Sequence, residues 1–250
     1  MQMARETPDG LAWTSHPADD AVNPALYSGG AGIAITLLEA HQHFGEDRYA
    51  DAAVRAALAI AADVPRWELS SLYFGLSGMA VALRAVAEQL NNVAAEQAAR
   101  RALGRFRVFF DGERWGPQFD LLGGNAGIAL GALRAGDVEL AEHALTPYLR
   151  TADVTSHGIT WENRTGLAAR RHHLAHGTLG VAYARATIDG AGVRWHNHEH
   201  RVAPSTLEPR SGWAMGNAGI VRELLRCARI QAGGDSRYTV PWPDHPQVTS

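Results

Sequence analysis

The chain has 250 residues, enough for one large domain or two small ones with a sizeable core. Its formal net charge of −3 at pH 7 gives no basic surface for nucleic acid, and Cys227, the only cysteine, excludes an internal disulfide. No apolar run approaches the roughly 20 residues of a bilayer span, and the N-terminal residues lack the apolar core of a signal peptide. The sequence thus predicts a cytoplasmic protein with neither nucleic acid nor a membrane as partner.

After an N-terminal extension over residues 1–22, one sequence pattern recurs five times along the chain. In each copy two glycines stand three residues apart and a mostly apolar run of helical length follows. Successive copies begin 46, 49, 53 and 39 residues apart, and such a period is typical of a repeat architecture. The pairs are Gly29 and Gly32, Gly75 and Gly78, Gly124 and Gly127, Gly177 and Gly180, and Gly216 and Gly219.

A second, more amphipathic helix follows the apolar one in the first three copies, so each unit is predicted to be a helical hairpin. Packed side by side, the five hairpins would place the glycine-led helices inside and the amphipathic helices outside. We therefore predict an all-α fold, an α/α toroid over residues 23–235 that is incomplete, with about five hairpins. Residues 236–250 are rich in proline and are predicted to form an irregular tail.

The paired glycines have two physical explanations, close packing of backbones and a basin of uncovered N–H donors, and five pairs in register favour the basin. Without side chains, the glycines let neighbouring backbones approach closely. They also leave the first N–H groups of each helix uncovered, and several such helix starts at one rim would make a positive basin suited to an anion.

At this point the sequence resembles the lanthionine synthetase C-like (LanC-like) family over roughly residues 23–250. The stretches that carry the resemblance are the five glycine pairs, "FDLLGGNAGI", "HHLAHGTLG", "EPRSGWAMGNAGI" and "PWPDHP". The resemblance implies a seven-hairpin α/α toroid that acts in the biosynthesis of lanthipeptides, which are ribosomally made and then modified. It also implies a reaction in which a peptide cysteine thiol adds to dehydroalanine or dehydrobutyrine. The implied partners are a precursor peptide and a dehydratase or kinase-like enzyme.

The chain departs from the zinc-dependent members of that family, which hold zinc with two cysteines and a histidine. Ala214 follows Trp213 where those members have the first cysteine, and the hairpin with the Cys-His-Gly motif would come after Ser250. Cys227 lies in an apolar run and is predicted to be a small buried side chain. We therefore expect no metal and no other cofactor.

Three positions match polar residues that line the family's site, and the resemblance makes Asp120, His176 and Arg210 the predicted catalytic residues. His176 is the candidate acid and base, because its ordinary pKa lies near neutrality. Arg210 would hold the thiolate or the enolate oxygen, and Asp120 would orient His176 or pair with Arg210. Each also has an ordinary structural interpretation, as a turn aspartate, a core histidine or a loop arginine.

Four further residues are predicted to contact the peptide: Trp161, Trp213, Asn125 and Asn217. Trp161 belongs to "TWENRTG", a predicted rim loop in which Glu162 could pair with an arginine. His172 and His173, and the alternating His196, His198 and His200, suggest either a metal or, more simply, polar loops over the mouth of the cavity.

Two functions stay open on this evidence, a zinc-independent thioether cyclase and an inactive pseudo-cyclase that binds the precursor or scaffolds a partner enzyme. A carbohydrate-processing toroid is disfavoured, because Asp120 has no second acid on a comparable helix start. Five hairpins would leave an open arc with bare apolar flanks. Either a second chain meets those flanks or the end segments fold over them, and we predict self-association.

Overall fold

The computed structural model describes residues 4–116, 118–155 and 158–161, together with residues 175, 180–182, 184, 225, 228–229 and 232–234. Within these residues three helical hairpins follow one another, as the sequence predicts. The inner helices of the hairpins are α1 (Gly30–Phe44), α3 (Leu76–Leu90) and α5 (Asn125–Arg134), and the outer helices are α2 (Asp47–Asp63), α4 (Val93–Arg107) and α6 (Val138–Arg150). A short 3-10 helix over Val64–Arg66 extends α2. The mostly helical architecture confirms the all-α class and the α/α toroid.

Local sequence signals set the turns between paired helices. The first hairpin turns at Gly45 and the second at Asn91, both in the left-handed region with φ of 69° and 52°. Asn92 and Asp137 then begin α4 and α6, and their side chains accept hydrogen bonds from backbone N–H groups three residues on. No helix among the residues described here is long and apolar enough to cross a membrane.

Two short antiparallel hairpins of strands flank the helices and were not predicted. Strand β1 (Arg5–Thr7) pairs with β2 (Gly10–Ala12), and β3 (Asp153–Thr155) pairs with β4 (Gly158–Thr160). Gly10 has a φ of +139° and lies so close to α2 that a Cβ there would be 2.2 Å from the carbonyl oxygen of Arg55. The N-terminal extension is therefore packed on the outside of the first hairpin.

The glycine pairs allow close packing both within and between repeat units. A Cβ on Gly78 would lie 2.0 Å from the carbonyl oxygen of Leu72 in its own loop and 2.9 Å from Leu26 Cβ of the unit before. A Cβ on Gly127 would lie 2.1 Å from the carbonyl oxygen of Leu121 and 2.9 Å from Leu72 Cβ. Each leucine thus fills the space that the next unit's second glycine leaves open, which supports the packing explanation.

The alternative explanation, a basin of uncovered N–H donors, is wrong for the first donors of α1 and α3. The N–H groups of Gly30 and Ala31 donate to the carbonyl oxygens of Asn23 and Pro24, at 2.7 and 3.2 Å. In the second unit the same bonds run from Leu76 and Ser77 to Leu69 and Ser70, at 2.8 and 3.2 Å. The carbonyl oxygens of the preceding loop therefore accept from these N–H groups, which are not left free for a ligand.

The loops that precede the inner helices lie side by side at one end of the toroid. The N–H of Tyr27 donates to the carbonyl oxygen of Tyr73 at 2.9 Å, and that of Leu122 donates to Ala175 at 3.0 Å. Ala175 and Tyr73 each stand two residues before the first glycine of their units. The loop arrangement therefore continues into the fourth unit, where Val181 and Ala184 join the core.

The fifth unit contacts the first through a buried ion pair. Arg229, in a helical part of the fifth unit, places Nη1 3.2 Å from Oε2 of Glu39 on α1, and Glu39 is 0% exposed. The two ends of the repeat array thus meet at this pair. Self-association, which was predicted from bare end flanks, stays a prediction.

Asp63, at the end of α2, gives the fold a specific dependence on pH. Burial raises the pKa of its carboxyl group above the ordinary value despite the Arg66 guanidinium beside it, and Asp9 adds to the rise. A raised folded-state pKa means that the stabilising contribution is present below the unfolded pKa and is lost as the pH rises through the folded pKa.

We therefore expect Asp63→Asn to raise the free energy of unfolding at pH 7 relative to the parent protein, and the gain to vanish near pH 3. Urea denaturation at both pH values measures the difference. Asp51→Asn, at an exposed position of the same helix, is the control. An equal effect of Asp63→Asn at both pH values would contradict the assignment.

Candidate functional site

The loop over residues 118–124, at the start of α5, carries the predicted catalytic residue Asp120. Its side chain is 1% exposed, and Oδ1 accepts a hydrogen bond from the N–H of Gly123 at 2.7 Å. In the second unit, Ser71 Oγ accepts from the N–H of Phe74 at the same loop position, at 3.3 Å. Asp120 therefore stabilises the same kind of turn that Ser71 stabilises at the equivalent position of the second unit. In the third unit this turn also brings a carboxylate to the end of the toroid where the loops lie.

Tyr148 of α6 lies beneath this loop, and its sequence context did not single it out. Its hydroxyl donates to the carbonyl oxygen of Phe119, and the two rings lie 4.8 Å apart. Burial raises the pKa of Tyr148 well above its ordinary value, and the charge of Asp120 raises it further. The Ala126 N–H and Arg114 partly oppose this. The phenol is thus a neutral donor within electrostatic reach of Asp120.

Arg114 is a second residue that sequence reasoning missed. Its guanidinium lies 3.8 Å from the centre of the Phe119 ring, next to Asp120 in the chain. Asp111 shapes the loop that carries it, because Oδ1 accepts from the N–H groups of Arg114 and Glu113, at 2.6 and 2.8 Å. These two bonds lower the pKa of Asp111. The only signal in the sequence is a turn-forming "DGERWG" just before the Asp120 loop.

Asn125 begins α5 and is completely buried. Its amide nitrogen donates to the carbonyl oxygens of Glu113 and Ala144, both at 3.1 Å. It thereby links the Arg114 loop, the inner helix and the outer helix of the third unit. These bonds give Asn125 a structural role, and a contact with the peptide stays a prediction.

Trp161 follows β4 and packs against the same cluster. Its Nε1 donates to the carbonyl oxygen of Tyr148 at 2.8 Å, and the two rings meet edge to face at 6.0 Å. Trp161 is partly buried and supports Tyr148 directly. Its role as a peptide contact stays a prediction.

The remaining predicted site residues lie outside the described part of the chain. These are His176, Arg210, Trp213, Asn217 and Glu162, as well as Cys227 and the histidines at 172, 173, 196, 198 and 200. Ala175, which directly precedes His176 in the sequence, is described. The Leu122–Ala175 hydrogen bond joins the Asp120 loop to this residue.

The donor set does not fit the zinc site of the family's zinc-dependent members. Ala214, at the position that the resemblance assigns to the first cysteine, has no side-chain atom that could bind a metal. In the portion of the chain that the structure describes, no three His, Cys, Asp or Glu side chains gather in a way that could hold a metal ion.

The fold is an α/α toroid of helical hairpins whose inner helices begin at glycine pairs. The loops before these helices interact at one end of the toroid, and the candidate site lies at that end. The family model of lanthionine synthetase C-like proteins matches residues 20–194, more than half of the chain. The chain therefore belongs to the LanC-like family. No curated protein sequence matches it.

Proposed function

We propose that this protein is a zinc-independent thioether cyclase of lanthipeptide biosynthesis, which acts on a dehydrated precursor peptide made by a partner dehydratase or kinase-like enzyme. The observation that carries the proposal is the bond from Leu122 to Ala175. It joins the loop of buried Asp120 to the loop whose next residue is His176. Family membership supplies the reaction class.

The reaction needs one proton to be removed and one to be delivered. His176 takes the proton of the peptide thiol, whose ordinary pKa is about 8.5, and the thiolate attacks Cβ of dehydroalanine or dehydrobutyrine. A C–S bond forms, and the electron pair of the C=C bond moves to an enolate. His176 then returns the proton to Cα, so that no atom is lost and no oxidant is required.

Asp120 and Arg210 support this proton cycle. Asp120 orients His176 or pairs with Arg210, and Arg210 holds the thiolate or the enolate oxygen. Asp120 is 1% exposed and its carboxylate is held by the Gly123 N–H, so it loses little conformational freedom when it binds His176 or Arg210.

Thiol trapping tests the proposal directly. The purified protein is incubated with a synthetic peptide that carries one dehydroalanine and one cysteine, and free thiols are alkylated over time. We expect free thiols to disappear faster than without enzyme, and Asp120→Asn to slow this roughly 100-fold. The amide oxygen introduced by this substitution can still accept from the Gly123 N–H, so the loop is preserved. Asp51→Asn is the matched control, and thiol loss at the no-enzyme rate in the parent protein would overturn the proposal.

The second candidate is an inactive pseudo-cyclase that binds the precursor peptide or scaffolds the modifying enzyme. Two observations favour it: Ala214 lacks a ligand atom, and Asp120 makes the same turn bond as Ser71 in a unit without predicted chemistry. The same peptide with a fluorescent label separates the two candidates. Binding by anisotropy together with thiol loss at the no-enzyme rate would support the pseudo-cyclase.

A further inference from the structure

A backbone hydrogen bond present in the first two loops is replaced in the third. The N–H of Ala31 donates to Pro24 and the N–H of Ser77 donates to Ser70, both at 3.2 Å. The equivalent pair in the third unit is Ala126 and Phe119, and these two described residues do not share that bond. The hydroxyl of Tyr148 donates to the carbonyl oxygen of Phe119 instead.

The tyrosine is particular to the third of the three described hairpins. Counted from the residues that begin the outer helices, Glu46, Asn92 and Asp137, the equivalent positions hold Ala57, Leu103 and Tyr148. Alanine and leucine have no group that could enter the backbone bond of their units. The insertion thus occurs at the one described loop that carries a predicted catalytic carboxylate.

We propose that Tyr148 is a positioning residue for Asp120: its hydroxyl, bonded to the carbonyl oxygen of Phe119 in the loop before α5, sets the width of the loop and thereby the direction of the neighbouring carboxylate. This inference rests on the proposed cyclase function of Asp120. The phenol does not touch the peptide in this arrangement, and it acts only through the loop.

The surroundings of Tyr148 hold it in place for this role. Its ring is fully buried between Phe119, at 4.8 Å, and the edge of Trp161, at 6.0 Å, while Trp161 Nε1 also fixes the Tyr148 backbone. Burial raises the pKa of the phenol further above neutrality, so the hydroxyl acts as a neutral donor to Phe119.

Tyr148→Phe removes only the hydroxyl and leaves the ring packing intact. The Phe119 carbonyl and the Ala126 N–H can then bond directly, as their counterparts do in the first two units, so the fold keeps its hydrogen bonds. The loop closes by the space of one oxygen atom, and Asp120 moves with it. A displacement of this size can lower the reaction rate strongly, even where the free energy of unfolding changes little.

The kinetic test uses the dehydroalanine peptide described above. We expect Tyr148→Phe to lower kcat roughly ten-fold to 100-fold with KM unchanged. In the Asp120→Asn background the same change should have no further effect, because the two residues act through one loop. Tyr49→Phe, on the outer helix of the first unit, where the hydroxyl accepts from Arg48, is the matched control and should be silent.

A second measurement does not depend on turnover. In amide NMR spectra, Tyr148→Phe should shift the Gly123 and Ala126 resonances, whereas Tyr49→Phe should leave both in place. Thiol loss at the no-enzyme rate in the parent protein would overturn the proposed function, and the amide shifts would then decide the loop geometry alone. Three results would overturn the positioning role. They are a Tyr148→Phe variant with the kcat of the parent protein, additive losses in the double variant, and Gly123 and Ala126 amide resonances that do not shift.

Discussion

Replacing Glu39 by alanine is expected to lower the free energy of unfolding by about 3–5 kcal/mol. The carboxylate is 0% exposed on α1, and its partner Arg229 is largely buried in the fifth unit. Removal of one member leaves the other charge in a medium that solvates it poorly, which is why breaking a buried pair costs much more than losing an exposed one. The pair also joins the ends of the repeat array, so thermal unfolding should lose cooperativity as well.

Chemical denaturation of the parent and variant proteins measures this effect. Glu46→Ala is the matched control, because its partner Arg48 is well exposed and the pair is worth about 0–1 kcal/mol. The double variant Glu39→Leu with Arg229→Leu should recover most of the loss, since it removes both charges and keeps apolar volume. If Glu39→Ala costs no more than Glu46→Ala, the first and fifth units are not held together by this pair.

Gly78→Ala is expected to destabilise the protein by about 3 kcal/mol or more, the upper part of the range for overpacked cores. The new methyl carbon would stand 2.0 Å from the Leu72 carbonyl oxygen and 2.9 Å from Leu26 Cβ. The first obstacle is the backbone of the same unit's loop and cannot rotate away, so that loop has to shift. The second obstacle belongs to the preceding unit, so the joint between the first two units has to open as well.

Gly104→Ala is the same chemical change, but it is expected to raise the free energy of unfolding. Gly104 lies inside α4, and a Cβ there would meet no atom within 4 Å. Alanine is the better helix former, so this variant should gain roughly 0.5–1 kcal/mol. Urea denaturation of both variants measures the contrast. Equal effects at the two positions would show that Gly78 serves helix propensity and not the packing of neighbouring units.

Periodicity in the sequence was sufficient to predict the three hairpins, because apolar spacing over a dozen or more residues is a strong signal. The four strands have three residues each, too few for an alternating pattern to show. The hydrogen bonds from the loops to the starts of α1 and α3 could not be predicted either. They depend on how the chain turns back before each helix, and glycines alone do not encode that path.

The site shows the same division between local and tertiary information. The sequence placed Asp120 at a loop that precedes an inner helix, and the structure has it there. Tyr148 was missed because it follows the ordinary apolar spacing of an outer helix, and its role appears only once α6 lies against the loop. Glu39, a charged residue in the otherwise apolar run "ITLLEAHQ", was the available signal for a buried partner elsewhere in the chain.

The contacts from Leu26 to Gly78 and from Leu72 to Gly127 run in one direction along the chain. At both joints between the three described hairpins, a leucine of one unit fills the space beside the second glycine of the next, so these interfaces are head-to-tail, as heterologous interfaces are. The rotation at each joint, and not any particular residue, then sets how many hairpins complete a circle. A protein built in this way can gain or lose whole hairpins during evolution while every joint keeps one design.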